Sequence, residues 1–362
     1  MKKKKYKIKK SGIIVIFVIL ALTLFLYKPT TSIISLMGKK YSFSTSFKIY
    51  KKGLTDDVLK KDYNETFDNA INSSDYKDEY FSNYMNLKYY DYKDFISCVN
   101  KLFDVGYLPV TVNIINSKND MNLIDVLKGK YVEDIDKYLE YNYFKLSNLD
   151  RYLKYFNGDY KDTIVKVNIG LDKEFYEDVN VIKDYSYDVI VNKYNKLDEN
   201  FIPKDIVELD MCSGPSQYLA MDAKKYYDML CLDATKDGMN LSVTSSYRDY
   251  QSQVETYNYY LKTYGENYVK KYVAYPGYSE HQTALALDVK SLNSNIFANS
   301  KEYKWMVDNS YKYGFILRYT KENQGISGYN SEAWHFRFVG VDEAIYMHDN
   351  NLSYEEYYAM FK

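Results

Sequence analysis

The chain has 362 residues, enough for about two domains at roughly 150 residues each. It is 46% hydrophobic and 27% charged, with only 5 Pro and 15 Gly, so its composition excludes a disordered or fibrous protein. Seven of the 48 basic residues are lysines in the first ten positions, which leaves 41 basic and 49 acidic residues, a net charge of −8, from residue 11 onward. This acidic balance argues against DNA or RNA as a partner.

An uncharged, apolar segment, residues 12–27, follows the basic N-terminus. It is shorter than the ~20 residues of a typical spanning helix and longer than the roughly 7 to 15 residues of a signal-peptide core. No small-residue cleavage site follows, so residues 1–30 are predicted to be a basic tail and an uncleaved signal anchor, with a removed signal peptide as the alternative. The positive-inside rule then predicts a single-pass protein of the cell membrane with an extracytoplasmic catalytic domain.

The chain contains three cysteines, Cys98, Cys212 and Cys231. An odd count without a CxxC pair fits neither a disulfide framework nor a structural zinc cluster. Buried thiols are the expectation, and a bridge between Cys212 and Cys231 stays open as the alternative for an exported chain.

Helical patterns dominate residues 31–157, which are predicted to form a mostly helical module. One of its helices ends at Gly106, a residue type typical of helix C-caps. From Asp162 to Leu171 the hydrophobic period becomes two, which predicts a strand. Residues 158–200 are therefore predicted to be a β-containing connector.

Helical and strand patterns alternate over residues 201–362. Helices are predicted at 216–234, 250–264 and 301–313, and a last helix begins at a capping box of Ser353 and Glu356. Strands are predicted at 241–246, 283–289 and 334–339. The predicted fold is α+β: a small antiparallel sheet with flanking helices carries a site, and the helical module and an N-terminal membrane helix precede it.

Two of the three histidines lie near acidic residues in this last part. His281 precedes a strand on which Asp288 shares a face with alanines, which leaves room above its carboxylate. His335 lies on the face opposite the aromatic side chains of its strand, and Glu332 comes three residues earlier. Two His and one Asp make a three-ligand zinc site with an open fourth position, and a nearby Glu supplies a general base. This is the layout of a hydrolase.

Four motifs in this order, SSYRDYQSQ, PGYSEHQTALALDV, YGFILRY and GYNSEAWHFRFVG, resemble those of the VanY-type D-alanyl-D-alanine carboxypeptidases, zinc peptidases of the bacterial cell wall. The resemblance covers roughly residues 200 to 362. It implies that zinc is bound by His281, Asp288 and His335 and that Glu332 is the catalytic base.

The same resemblance implies further roles. It assigns Arg248 to the developing oxyanion, and Gln253 and Ser279 to the terminal carboxylate of the substrate. Ala284 stands where many members have Gly, and its methyl is expected to narrow the substrate pocket. Trp334 is expected to pack behind the zinc site.

The function implied is a membrane-anchored zinc carboxypeptidase that removes the C-terminal D-alanine from peptidoglycan stem peptides. One alternative is an L,D-carboxypeptidase that acts on tetrapeptide stems, since similar folds perform both reactions. Another is a non-catalytic protein that binds the cell wall. The partners expected are the stem peptides and, through the N-terminal helix, the membrane.

Overall fold

The structure, a computed structural model, describes residues 27–177, 179–184 and 186–362. No helix within this described part is long and apolar enough to cross a membrane. The described residues therefore do not bear out the predicted single-pass membrane location. Residues 1–26, which include nearly all of the predicted signal anchor, lie outside the described residues.

The chain divides into two compact units, which meet in the sequence between Glu140 and Tyr141. The described residues of the first unit form α-helices joined by short turns. From residue 41 onward these helices are α1 (Phe43–Lys51), α2 (Thr55–Leu59), α3 (Glu65–Asn72), α4 (Phe81–Tyr84), α5 (Phe95–Val105), α6 (Pro109–Ser117), α7 (Met121–Leu127) and α8 (Ile135–Leu139).

The second unit mixes helices and strands. Its first part contains α9 (Leu149–Tyr155), α10 (Tyr160–Asn168), β1 (Asn180–Ile182), β2 (Asn195–Leu197), β3 (Ile206–Glu208) and β4 (Tyr218–Ala220). Its second part contains α11 (Met221–Lys236), β5 (Leu241–Ser245), α12 (Tyr250–Tyr264), α13 (Glu266–Tyr272), β6 (Ala286–Ser291), α14 (Lys301–Asn309), β7 (Phe315–Tyr319), α15 (Gln324–Ser327), β8 (Glu332–Phe338), α16 (Val341–Asp349) and α17 (Tyr354–Phe361).

The larger sheet of the described residues has the strand order β5-β6-β8-β7 with every neighbouring pair antiparallel. Its apolar side chains pack with one face of α11, where Ala223, Tyr227, Leu230 and Ala234 are buried at helical spacing. The predicted mixture of helices with a small antiparallel sheet is confirmed, as are the strands around Asp288 and His335.

The strand predicted from Asp162 to Leu171 is wrong, because α10 occupies most of this segment. Asp159 is the N-cap and accepts a hydrogen bond from the backbone N–H of Asp162, which begins a helix. Ile164, Val165 and Val167 are all buried. A strand with one buried face would instead expose either Ile164 or its neighbour Val165. Strands β1 and β2 pair in parallel within residues 158–200. The boundaries at 157 and 200 stay predictions.

A short sequence that directly precedes α5 is repeated at the start of α10. The tetrapeptide DYKD occurs three times, at 75–78, 91–94 and 159–162, and the last two occurrences are 68 positions apart. Within one copy the hydroxyl of Tyr84 donates to Asn100, and at the same offset that of Tyr152 donates to Asn168. The repeat therefore preserves the internal hydrogen bonds of each copy as well as the sequence.

Cys212 and Cys231 form a disulfide, which corrects the expectation of buried thiols. Cys231 lies on α11, and the carbonyl of Cys212 accepts a hydrogen bond from the backbone N–H of Val243 in β5. The bond therefore fastens α11 to the segment that adjoins an edge of the sheet. Cys98 is a buried thiol.

Replacing both Cys212 and Cys231 with Ser should lower the free energy of unfolding by about 3 kcal/mol, since the bridge closes a loop of about 20 residues. Urea denaturation measures the change, with Cys98→Ser as a control that leaves the bridge intact. An unfolding free energy equal to that of the wild type would contradict a stabilising bridge.

Candidate active site

The paired strands β6 and β8 bring two polar side chains face to face at the centre of the sheet. Asp288 and His335 are direct partners in the antiparallel register. Side chains at such a pair leave the sheet on the same face at close range. Asp288 Oδ1 lies 3.2 Å from His335 Nδ1.

His281 reaches the same face from the 3₁₀ turn Glu280–Thr283, just before β6. Its Nδ1 lies 2.7 Å from the carbonyl oxygen of Ser246, which fixes the proton on Nδ1 and leaves the Nε2 lone pair facing Asp288. Nε2 lies 3.5 Å from Asp288 Oδ2. The two imidazole rings are perpendicular, with centroids 5.0 Å apart.

The side chains of His281, Asp288 and His335 can hold a metal ion. One donor atom from each lies within 4.8 Å of the other two. Asp288 Oδ1 is buried and has no hydrogen-bond partner of good geometry among the described residues. Two imidazoles and a carboxylate are the donor types of catalytic zinc sites, so the residues present fit this ion.

The charges of the site also favour a cation. Burial alone raises the pKa of Asp288, but the adjacent His281 and His335 outweigh it and hold this pKa well below its usual range. Burial alone lowers the pKa of His335, but Asp288 and Glu280 outweigh it and raise this pKa to about 9. The surrounding carboxylates therefore stabilise a positive charge at this position, whether a proton or a metal ion carries it.

Glu332 faces the same cavity because the edge of the sheet is irregular. On a regular strand, residues three apart point to opposite faces. Here the register slips between Leu317 and Tyr319, so Tyr319 pairs with Glu332. This irregularity turns Glu332 toward His335, and Glu332 Oε2 lies 4.0 Å from His335 Nδ1.

The carboxyl of Glu332 has the properties of a proton acceptor that works near neutral pH. Its burial raises its pKa to about 7, against the opposing charge of His335 and with a further increase from Asp288 and Glu280. A carboxyl with such a pKa both accepts and returns a proton near pH 7.

A cavity of about 270 Å³ contains all seven predicted site residues in its lining: Arg248, Gln253, Ser279, His281, Asp288, Glu332 and His335. Arg248 precedes α12, and its Nε donates to Gln253 Oε1 at 2.6 Å. Gln253 is held in turn by a 2.7 Å hydrogen bond to the carbonyl of Ala274. Burial lowers the pKa of Arg248, while Asp288 opposes this shift.

The sequence analysis missed Glu280, which adjoins His281 in the chain but contacts His335. Glu280 Oε2 lies 3.1 Å from His335 Nε2, so this ring donates there and presents Nδ1 to the metal position. Glu280 Oε1 accepts from Arg318 Nε at 2.8 Å and lies 3.1 Å from Arg337 Nη1. Arg318 also donates two hydrogen bonds to Glu355 of α17. A carboxylate beside a candidate ligand was the available sequence signal.

Two expectations about neighbouring residues are wrong. Ala284 has a left-handed backbone, with φ of 57°, and packs in the core rather than in the cavity, so the glycine common at this position fits the backbone and not the pocket. Trp334 is 42% exposed and lines the cavity, so it does not pack behind the metal position.

The chain is similar to several known proteins. The family model of VanY, D-alanyl-D-alanine carboxypeptidase, matches residues 216–341. YodJ of Bacillus subtilis (strain 168), provisionally named a carboxypeptidase, is 37% identical over 183 residues, which are 48% of this chain and 67% of YodJ. VanXYC of Enterococcus gallinarum, named a bifunctional D-Ala-D-Ala dipeptidase and D-Ala-D-Ala carboxypeptidase, is 33% identical over 47% of this chain and 92% of its own length.

Among solved structures, a mutant of the vancomycin resistance D,D-pentapeptidase VanY in complex with Zn(II) is 29% identical. The match covers 48% of this chain and 99% of that one, with a TM-score of 0.42.

The ligand set and the matched motifs together define a metal-dependent peptidase. The chain belongs to the VanY-type D-alanyl-D-alanine carboxypeptidase family. The predictions of this family, of a zinc metallocarboxypeptidase and of zinc as the cofactor are confirmed.

Replacing Glu280 with Gln should weaken zinc binding about 10- to 100-fold, because His335 loses the carboxylate that orients it. Competition with a chromogenic chelator measures the affinity at a temperature where the variant is folded. The matched control is Glu302→Gln, since Glu302 is also buried but bonds Ser291 and Asn293 instead. Equal zinc affinity in both variants would contradict an orienting role for Glu280.

Proposed function

We propose that the chain is a D,D-carboxypeptidase that removes the terminal D-alanine from pentapeptide stems of peptidoglycan. The observation that carries the proposal is the position of Glu332, a buried carboxyl of raised pKa, beside a three-residue metal set in one cavity. Relatives named as D-alanyl-D-alanine carboxypeptidases support the choice of substrate.

In this proposal His281, Asp288 and His335 hold the zinc ion. Bound there, zinc supplies a Lewis acid that polarises the scissile carbonyl and lowers the pKa of water. His281 and His335 are buried and Asp288 is half-buried, so the reaction takes place where solvent is scarce and the charges of the site act more strongly.

Glu332 takes the proton of the attacking water as the C–O bond forms. It then delivers this proton to the nitrogen of the leaving D-alanine as the C–N bond breaks, which restores the carboxylate. A pKa of about 7 suits both transfers, because neither protonation state is strongly favoured near neutral pH.

Arg248 donates hydrogen bonds to the carbonyl oxygen as negative charge develops on it. Gln253 fixes the guanidinium through its bond to Nε, which leaves the terminal nitrogens to meet the substrate. Gln253 and Ser279 line the part of the cavity that we assign to the terminal carboxylate of the stem. The buried position of Gln253 makes it a rigid support for Arg248.

Replacing Glu332 with Gln should lower kcat at least 100-fold and leave zinc affinity within about threefold, since the proton acceptor is lost while the three ligands remain. Release of D-alanine measures turnover, and chelator competition measures zinc. Unchanged turnover would overturn the mechanism. Stem peptide binding without turnover in the wild type would instead favour the wall-binding alternative.

Mass spectrometry of stems incubated with the zinc-loaded chain distinguishes the two carboxypeptidase specificities. We expect a D-alanine-ended pentapeptide to lose one residue and a tetrapeptide to remain intact, and we expect the pentapeptide to remain intact when a chelator is present. Shortening of the tetrapeptide alone would replace the proposal with the L,D-carboxypeptidase alternative.

A further inference from the structure

Four tyrosines on the consecutive helices α12 and α13 form a stacked group of rings. We call Tyr260, Tyr264, Tyr268 and Tyr272 the tyrosine cluster. The ring centroids of Tyr264 and Tyr268 are 4.7 Å apart with planes at 28°, and those of Tyr260 and Tyr268 are 5.9 Å apart with planes at 15°. Tyr272 continues the group 5.0 Å from Tyr268. The spacing of four residues places Tyr260 and Tyr264 on one side of α12 and Tyr268 and Tyr272 on one side of α13. The ring contacts of Tyr268 with Tyr260 and Tyr264 join the two pairs.

The tyrosine cluster is continuous with the cavity of the metal set. Tyr260, Tyr268 and Tyr272 line this cavity together with His281 and Glu332. The cluster also extends to the surface, since Tyr264 is 57% and Tyr272 is 41% exposed. It therefore forms one aromatic surface that leads from solvent into the site.

The chemistry of this surface suits a neutral ligand with flat apolar faces and many hydroxyl groups. Aromatic rings provide apolar faces that remain wettable at their hydroxyl ends. Burial raises the pKa of Tyr268 above its ordinary value, so this hydroxyl is neutral at physiological pH and both donates and accepts hydrogen bonds. Trp334, exposed in the same cavity lining, adds another apolar ring. Exposed aromatic surface of this kind beside a catalytic cavity marks a binding surface rather than core.

We propose that the tyrosine cluster is a saccharide subsite that binds the glycan to which the stem peptide is attached. This inference rests on the proposed function, because the stem places its C-terminal residue at the metal and its N-terminal end toward the glycan. An extended pentapeptide spans up to about 17 Å. The sugar rings therefore lie outside the metal position, on the side where the cavity opens, and the cluster supplies faces on which they stack.

The test compares two substrates that share one reacting end: the free stem pentapeptide and the same pentapeptide linked to its disaccharide. The zinc-loaded full chain should prefer the linked substrate through a lower KM. Tyr264→Ala should reduce the ratio of kcat/KM, linked over free, about fivefold, and Tyr264→Phe, which keeps the ring, should retain it. The matched control is Tyr346→Ala, an exposed helical tyrosine on α16 outside the cavity lining, which should leave the ratio unchanged.

A binding measurement separates this subsite from the proposed reaction. The disaccharide without peptide, titrated calorimetrically into the metal-free full chain, should bind with a Kd on the order of millimolar, and Tyr264→Ala should abolish the signal. If the disaccharide binds in this way but neither peptide substrate is cleaved, the saccharide subsite is supported and the proposed carboxypeptidase reaction is refuted. If the ratio of kcat/KM for the linked over the free pentapeptide is the same in wild type and in Tyr264→Ala, the saccharide subsite is overturned. A dimer in sedimentation that Tyr264→Ala dissolves, without disaccharide binding, would also overturn it and assign the cluster to self-association.

Discussion

The carboxylate of Glu280 is buried among Arg318, Arg337 and His335, and the arrangement of the site depends on this one group. Removing a buried charge from such a network leaves the opposite charges uncompensated, at a cost of about 3 to 5 kcal/mol. Because Arg318 also bonds Glu355, the carboxylate connects α17 to a candidate metal ligand, His335. The orientation of His335 is thus set by residues from three separate parts of the chain.

Arg337 extends the same network toward the connector. Its guanidinium donates to the carbonyl of Val189, so the charge that faces Glu280 also holds the segment before β2 against the sheet. The site is therefore rigid for two reasons. The apolar core fixes the strands that carry Asp288 and His335, and the buried ions fix the rings and carboxylates upon them.

The sequence reveals the candidate ligands but not the residues that orient them, for a physical reason. His281, Asp288 and His335 lie on or next to strands whose alternation is visible in one short segment. The role of Glu280 depends on Arg318 and Glu355, which are 38 and 75 positions away and meet it only in the folded chain. Proximity of this kind leaves no local pattern.

The errors elsewhere have similar causes. In α10 the run Ile164 to Val167 resembles the alternation of a strand. The N-cap at Asp159 and the burial of the neighbouring residues Ile164 and Val165 instead favour a helix. The pairing of Cys212 with Cys231 depends on where α11 packs, which the spacing of the cysteines does not determine. The slip opposite Tyr319 that turns Glu332 toward His335 is likewise a property of strand pairing and not of either strand alone.

The two copies that contain Tyr84 and Tyr152 allow the part of the chain before the peptidase fold to change in length. In each copy a buried tyrosine donates to the asparagine 16 positions later, so this hydrogen bond lies within the copy. Recombination between two such copies gains or loses whole units, and the residues that join at the new boundary already match. Deleting the 68 residues between equivalent positions of the two copies would therefore keep this hydrogen bond at the joint, and it would remove none of the candidate site residues, all of which follow the second copy.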